Sequence, residues 1–236
     1  MPQGPALCPA VVVMAKAPGM TVVKSRLHDS LTADRATELY RCFLLDRLDA
    51  IAALADIDGA VAFTPVEAEA LMKAMTPAGL RLMPQRGADL GERLSNVLTE
   101  LLAYGHAGAI AVDSDSPTLP MAYVSAAAEV LTLARHDVVL GPSEDGGYYL
   151  IGLRSPHPEL FQGIAWSTRS VLPTTLAKAR ALALEVYLLP TWFDVDTETD
   201  LARLYSEMQK QGGSPPRTSA FLRELYRSCV PREELR

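Results

Sequence analysis

The stretch AIAVDSDSP at positions 109–117 decides the fold, because it joins a buried strand to a pair of carboxylates. Its first four residues are all apolar, which is typical of a strand covered on both faces of a parallel sheet. Asp113 and Asp115 follow, and Pro117 ends the strand because its backbone has no N–H group. The sequence therefore predicts an inner strand with two acidic side chains at its carboxyl end.

Asp113 and Asp115 predict a metal site at this strand end. Alternate residues of a strand point to the same side, so both carboxylates are expected to face one ion. Hard oxygen ligands of this kind suit Mg²⁺ or Mn²⁺. In the alternative interpretation, Ser114 or Ser116 caps the helix that begins near Pro120, and the aspartates are only solvated beside it. We favour the metal site because other segments of the chain supply its remaining parts.

Strand-like and helical segments alternate along the rest of the chain. Predicted strands lie at 10–15, 59–64, 80–83, 109–112, 137–140, 148–153 and 185–189. Predicted helices lie at 32–54, 66–75, 90–104, 121–134, 171–183, from 197 onward, and at 218–227. This alternation predicts an α/β fold with a mostly parallel central sheet and helices on both faces. We interpret positions 1–210 as one domain, and 211–236 as a linker and a helical appendage of that domain.

Four loops with chemically useful side chains each follow a predicted strand. They lie at positions 16–26, 85–89, 113–117 and 141–147. Ligands of open α/β sheets bind at the carboxyl ends of the strands. We therefore expect the four loops to meet at one edge of the sheet and to form a single site.

The bulk composition excludes several classes of protein. The chain has 236 residues, 49% of them hydrophobic, and a formal net charge of −6, so no basic field attracts nucleic acid. Its three cysteines form no Cys-x-x-Cys pair, which argues against a disulfide framework and a zinc ribbon. No segment has the pattern of a signal peptide or a membrane span. These features favour a cytoplasmic protein without nucleic-acid or membrane partners.

The loop after the first strand is basic in a chain that is acidic as a whole. Lys16, Lys24 and Arg26 lie within eleven residues, beside Gly19. Backbone N–H groups and cationic side chains in this position predict a polyphosphate site, although the Walker and GxGxxG patterns are absent. The alternative is an ordinary solvated loop, where lysine and arginine are common.

Two aspartates late in the chain have two interpretations. Asp194 and Asp196 precede a helix that Thr197 caps, with Asp200 completing a capping box. Carboxylates stabilise a helix N-terminus without any metal. Either aspartate is equally a candidate metal ligand, and the sequence pattern alone leaves both interpretations open.

A loop with two glycines follows the predicted strand at 137–140. Asp145, Gly146 and Gly147 are candidate ligand contacts there, because glycine lets a bound molecule approach the backbone closely. The alternative is a tight turn before the next strand. The four histidines form no cluster and no GxSxG elbow is present, which argues against a serine hydrolase of the usual kind.

Five motifs occur in the order found in a known family. They are AKAPGMTVVKSRL, QRGADLGERL, AVDSDSPTLP, VVLGPSEDGGYYLIGL and FDVDTETDL. Together they resemble small nucleotide-diphospho-sugar transferase-like proteins of glycosyltransferase-A type. The first segment also resembles the phospholactate guanylyltransferases of deazaflavin-cofactor biosynthesis, and the whole plan is similar to the molybdopterin nucleotidyltransferases. The resemblance implies a single Rossmann-like glycosyltransferase-A domain.

The resemblance also implies the roles of individual residues. The nucleotide-holding loop comprises Ala15, Lys16, Ala17 and Gly19, and the phosphates contact Lys24 and Arg26. The base or ribose contacts are Gln85, Gly87 and Asp89. The metal ligands are Asp113, Asp115 and Asp196, with Asp194 as a competing candidate. The candidate catalytic residues are Lys16, Lys24, Arg26 and Asp115.

We interpret the chain as an Mg²⁺- or Mn²⁺-dependent nucleotidyltransferase. It is expected to move a nucleoside monophosphate from a triphosphate to a small phosphate- or phosphonate-bearing acceptor, releasing pyrophosphate, because the basic pair Lys24 and Arg26 suits a triphosphate. The alternative is a glycosyltransferase with a nucleotide-diphospho-sugar donor, in which Glu144 or Asp145 activates an acceptor hydroxyl. A binding module without turnover is disfavoured, because every candidate acidic ligand is present. A monomer or a homodimer is compatible with the sequence.

Overall fold

The computed structural model describes residues 8–210 and 215–229. Its strands are β1 (Ala10–Lys16), β2 (Asp58–Thr64), β3 (Arg81–Pro84), β4 (Ala109–Val112), β5 (Val138–Pro142), β6 (Tyr148–Leu153) and β7 (Val186–Leu188). Its α-helices are α1 (Ala33–Ala52), α2 (Glu69–Met75), α3 (Leu90–Ala103), α4 (Met121–Thr132), α5 (Val171–Ala181), α6 (Glu198–Lys210) and α7 (Pro216–Cys229). Every predicted strand and helix is therefore present in the structure, with ends shifted by a few residues.

The strands form one sheet in the order β3-β2-β1-β4-β6-β5-β7. All neighbours are parallel except β6, which runs antiparallel to β4 and β5. The loop at 143–147 is too short for the crossover that a parallel β6 would require. The prediction of a mostly parallel sheet is thus confirmed, and the start of β6 lies at the same edge as the carboxyl ends of β4 and β5.

Helices cover both faces of the sheet, as the sequence predicted. In β1, Val11 and Val13 belong to one apolar cluster, whereas Ala10 and Val12 belong to the other. Successive residues of a strand point to opposite faces, so each face needs its own apolar layer. The inner strand β4 is buried at all four positions, which explains its continuous apolar sequence.

A third apolar cluster joins α1, α6 and α7. Phe43 of α1 packs there with Leu204 and Phe221. The buried carboxylate of Asp46 accepts hydrogen bonds from the Arg217 and Thr218 backbone N–H groups, at 3.1 and 2.8 Å, and so caps the start of α7. Most of the predicted linker at 211–216 lies outside the described residues. Within the described part of the chain, no helix is long and apolar enough to cross a membrane.

Candidate active site

The loops at the carboxyl edge of the sheet surround a cavity of about 640 Å³. All four predicted loops contribute to its lining, together with the segment before α6. Of the residues singled out in the sequence, the lining includes Ala15, Lys16, Lys24, Arg26, Gln85, Asp113, Asp115, Asp145, Gly147, Asp194 and Asp196. The expected meeting of distant loops at one edge is therefore present in the structure.

Five other predicted ligand contacts lie outside this lining, and each has a structural role elsewhere in the fold. They are Ala17, Gly19, Gly87, Asp89 and Gly146. Ala17 is fully buried in the core, and Asp89 caps α3 by accepting the Glu92 N–H at 2.8 Å. The three glycines have φ between +81° and +137°, a region that favours glycine without any ligand.

Lys24 lies between two of the predicted metal ligands. Its Nζ is 2.5 Å from Asp115 Oδ1 and 3.1 Å from Asp196 Oδ1, and its side chain is only 2% exposed. Burial by itself lowers the pKa of Lys24, but the two carboxylates outweigh this effect and raise its pKa above the ordinary value. The ammonium group is therefore charged and joins Asp115 to Asp196 across 81 residues of sequence.

Arg26 adds a second, weaker cationic contact. Its Nη1 lies 3.5 Å from Asp196 Oδ2, and its side chain is 67% exposed. An exposed pair at this distance contributes little to stability. Arg26 is therefore available for an anion in the cavity, whereas Lys24 is already engaged by two carboxylates.

Asp113 lines the cavity and is engaged by the loop that follows β4. Its Oδ2 accepts a 2.6 Å hydrogen bond from Ser116 Oγ, and its buried Oδ1 has no partner. Burial raises the pKa of Asp113 to about 7, although the nearby Arg47 guanidinium opposes this shift. Asp113 and Asp115 both line the cavity but have different partners, since Ser116 donates to Asp113 whereas Lys24 pairs with Asp115.

Helix α1 supports this loop through two residues that the sequence analysis did not assign to the site. Tyr40 Oη lies 2.9 Å from Ser114 Oγ and accepts the Lys16 N–H at 3.0 Å. Arg47 Nη2 donates to the Ser116 carbonyl. Seven residues are two helical turns, so Tyr40 and Arg47 lie on one face of α1. Helix α1 therefore holds both serines of the motif by hydrogen bonds, while Asp115 between them lines the cavity.

Tyr40→Phe is expected to lower the free energy of unfolding by about 1–3 kcal/mol. The substitution leaves the Lys16 N–H and the buried Ser114 hydroxyl without their partner, which costs their full desolvation penalty. Urea denaturation measures the change. Tyr104→Phe is the matched control, because Tyr104 is exposed and is expected to change stability by less than about 0.5 kcal/mol. Equal effects of the two substitutions would contradict the supporting role of Tyr40.

A backbone hydrogen bond joins the segment before α6 to the loop at 113–117. The Val195 N–H donates to the Asp115 carbonyl at 3.0 Å. Asp200 Oδ2 accepts the N–H groups of Asp196 and Thr197, so the predicted capping box is confirmed. The cap is made by Asp200 and Thr197, which leaves the Asp196 carboxylate for Lys24.

Asp194 has a separate environment. Its Oδ1 accepts a hydrogen bond from Ser143 Oγ at 3.1 Å. Burial, followed by the negative charges of Asp145 and Asp196, raises the pKa of Asp194 above its usual range. Asp194 lines the cavity without contacting Lys24, so Asp196 is the better candidate for a shared cation.

Gln85 and Glu144, two polar side chains that the sequence predicts at the site, form hydrogen bonds with other groups of the protein. Gln85 Nε2 donates to the carbonyls of Ala15 and Ala62, at 3.0 and 2.8 Å, and thereby ties the end of β3 to β1 and β2. Glu144, the candidate base of a glycosyltransferase, forms a two-point pair with Arg203 at 2.7 and 3.1 Å and does not line the cavity. Asp145 lines it, and its Oδ1 accepts the Gly147 N–H at 2.8 Å.

The acidic side chains of the cavity supply part of a ligand set for a divalent ion. Within residues 8–210 and 215–229, no group of three or more His, Cys, Asp or Glu side chains is arranged to hold a metal ion. Mg²⁺ in phosphate-handling sites uses one or two carboxylates and takes its other ligands from phosphates and water. Asp115 and Asp196 supply two carboxylates within 3.1 Å of one nitrogen atom, and Asp113 Oδ1 is a buried acceptor without a partner. This donor set suits Mg²⁺ or Mn²⁺.

Comparison with known proteins agrees with the fold. A family model described as "Uncharacterized protein conserved in bacteria (DUF2064)" matches residues 47–168. No curated protein matches the chain. A crystal structure from Desulfovibrio desulfuricans G20, provisionally assigned as a nucleotide-diphospho-sugar transferase, is 34% identical. The alignment covers 93% of this chain and 95% of that one, with a TM-score of 0.86.

More distant solved structures share the fold. The CTP complex of CMP:2-keto-3-deoxy-manno-octonic acid synthetase is 11% identical over 86% of this chain and 99% of its own, with a TM-score of 0.56. Molybdopterin-guanine dinucleotide biosynthesis protein A from Archaeoglobus fulgidus is 12% identical over 86% of this chain and 100% of its own, with a TM-score of 0.54. At these identities the likeness shows the fold alone.

Proposed function

Because the chain belongs to the bacterial family DUF2064 and its cavity brings cationic side chains to a carboxylate pair, we propose that it is a metal-dependent nucleotidyltransferase. The reaction moves a nucleoside monophosphate from a triphosphate to a small acceptor bearing a phosphate or phosphonate. The observation that carries the proposal is the contact of Lys24 with Asp115 and Asp196 in a cavity also lined by Lys16 and Arg26. Solved structures that share the fold include a synthetase bound to CTP, so the fold is compatible with a nucleotide substrate.

The proposed transfer forms one bond and breaks another at the α-phosphorus. An oxygen of the acceptor phosphate attacks in line, the bond to the β-phosphate oxygen breaks, and pyrophosphate leaves with the electron pair. The acceptor needs no general base, because the second pKa of a phosphate ester is about 6 and the attacking group is already anionic. This chemistry matches a cavity whose described lining contains no histidine.

The chain's own contribution is charge neutralisation and positioning. Lys16, Lys24 and Arg26 face the cavity and stabilise negative charge that grows on the departing pyrophosphate. Asp115 and Asp196 would hold Mg²⁺, with Asp113 beside them. A bound divalent ion supplies Lewis-acid stabilisation of the phosphate oxygens. The helix α1 fixes the loop through Tyr40 and Arg47, so these charges are in place before substrate binds.

Acceptor-dependent pyrophosphate release tests the proposal. The protein is incubated with Mg²⁺, each of the four common ribonucleoside triphosphates, and a panel of phosphorylated and phosphono acids. We expect pyrophosphate from one triphosphate only when a suitable acceptor is present, and none after EDTA treatment. Phosphorylated hydroxy acids belong in the panel because of the resemblance to phospholactate guanylyltransferases, which stays a prediction.

A glycosyltransferase is the second candidate, because the relative that is 34% identical is provisionally assigned as a nucleotide-diphospho-sugar transferase. In that case Asp145 is the candidate base, since Glu144 is paired with Arg203 outside the cavity. Release of a nucleoside diphosphate from a nucleotide sugar, with no pyrophosphate from any triphosphate, would overturn the first proposal in favour of this one.

A further inference from the structure

Lys24 forms ion pairs with Asp115 and Asp196, although the proposed function assigns the lysine and the two aspartates to different ligands. Lys24 is expected to contact phosphates, and Asp115 and Asp196 are expected to contact a divalent ion. In the structure, the Lys24 ammonium lies 2.5 Å from one carboxylate and 3.1 Å from the other. The lysine therefore occupies the position between the carboxylates where a cation is stabilised best.

This contact is built into the fold. The side chain of Lys24 is 2% exposed, and its Nζ also lies 5.7 Å from the centre of the Phe43 ring. The backbone of Lys24 has φ 49° and ψ 40°, a left-handed conformation that is uncommon for a residue with a side chain. A surface lysine in a chance ion pair would be mostly exposed and would need no such conformation. Lys24 is thus held in place by its surroundings.

We propose that Lys24 makes the Asp115 and Asp196 pair selective for a divalent ion that arrives with nucleotide phosphates over the free ion. This inference rests on the proposed function, because it takes the two aspartates as the metal-binding pair. A free ion must separate the carboxylates from a buried ammonium, which then has no partner. Phosphates give that ammonium a new partner, so the exchange becomes favourable when nucleotide and ion bind together.

Arg26 does not have the same effect, although it contacts the same aspartate. Its guanidinium is exposed and reaches only Asp196, at 3.5 Å. Solvent screens an exposed charge, and water replaces its partner at little cost. Arg26 is therefore a matched control that removes one positive charge from the same cavity.

Binding of Mn²⁺ alone, measured by electron paramagnetic resonance without nucleotide, tests the inference. Lys24→Met removes the charge and keeps an unbranched side chain of similar length. We expect this variant to bind Mn²⁺ about 5- to 150-fold more tightly than the wild-type protein, the range of typical coupling between two ligands. Arg26→Met is expected to change the affinity by less than about fivefold.

Stability must be followed in parallel, because Lys24→Met leaves two carboxylates facing each other. Lys24→Gln keeps polar atoms at the same position and should show the same direction of change. In both variants, Mn²⁺ should raise the melting temperature more than in the wild-type protein, since an ion that binds only the folded state stabilises it. This readout applies even when a variant is partly unfolded without metal.

The outcomes separate this inference from the proposed reaction. Unchanged Mn²⁺ affinity and unchanged melting shifts in both Lys24 variants would overturn the role of Lys24, whatever the turnover assays show. Tighter Mn²⁺ binding in these variants, without acceptor-dependent pyrophosphate from the wild-type protein, would support the role of Lys24 and overturn the reaction assignment. An equal gain in Arg26→Met would also overturn the inference, because it would show a general effect of charge.

Discussion

Asp115→Asn is expected to lower acceptor-dependent pyrophosphate release by about 10²–10³-fold, the usual cost of losing one electrostatic contact to the reacting charge. The Asp115 carboxylate lines the cavity, is 40% exposed and lies 2.5 Å from Lys24. Asparagine keeps its shape but removes the negative charge that pairs with a cation. The fold should survive, because Lys24 keeps Asp196 as a partner.

The rate is measured at saturating Mg²⁺ with the triphosphate and acceptor that the panel identifies. Asp34→Asn is the control, because it removes the same charge from an exposed position in the first turn of α1. Circular dichroism should show equal folding in both variants. Wild-type turnover by Asp115→Asn would remove this residue from the chemistry and leave the proposed carboxylate pair without support.

The position of the site followed from sequence because it depends on sheet topology. An apolar run such as 109–112 favours an inner strand that is covered on both faces, and β4 lies between β1 and β6 inside the sheet. The loops after parallel strands then share an edge regardless of their separation in sequence. The four loops accordingly line one cavity, although residues 16 and 147 are far apart along the chain.

The partners of individual charges did not follow from sequence. Lys24 and Asp196 are 172 positions apart, and no local pattern indicates that they form an ion pair. The motifs suggest a phosphate ligand for one and a metal for the other, whereas the structure pairs the two side chains at 3.1 Å. Such pairings depend on three-dimensional distances of a few ångströms, which periodicity does not specify.

The supporting residues of α1 were missed for a related reason. Tyr40 fits the apolar face of the helix, so its hydroxyl group carried no separate signal. Arg47 lies seven residues later and is 3% exposed, which is unusual for arginine. An arginine on the same helix face as a buried tyrosine is the sequence feature that indicates a polar partner for that arginine in the protein interior. The identity of that partner, the Ser116 carbonyl beside Asp113, required the structure.

Arg47→Met is expected to destabilise the protein by about 3–5 kcal/mol at pH 8, because removing the buried guanidinium leaves the nearby Asp113 charge without compensation. The guanidinium of Arg47 donates to the Ser116 carbonyl and is the main positive charge that lowers the pKa of Asp113. Without it, Asp113 must either remain charged where water solvates it poorly or keep its proton. Urea denaturation in the presence of EDTA measures the loss.

The loss should be smaller at pH 5.5 than at pH 8. The pKa of Asp113 is about 7 in the folded protein, well above its value in an unfolded chain, and removal of Arg47 raises it further. Between these values the folded state binds more protons than the unfolded state, so stability falls as the pH rises. At pH 5.5 a protonated Asp113 no longer needs the guanidinium, and only the Ser116 contact is lost.

The double variant Arg47→Met/Asp113→Asn identifies the source of this pH dependence. Asparagine cannot ionise, so the double variant should recover stability relative to Arg47→Met at pH 8 and lose the difference between the two pH values. Arg47 and Asp113 interact electrostatically and both contact Ser116, so their effects should not be additive. An equal loss at both pH values in Arg47→Met would instead mean that Arg47 acts only through packing and the Ser116 carbonyl. The loop at 113–117 would then be supported by Arg47 without any contribution from the charge of Asp113.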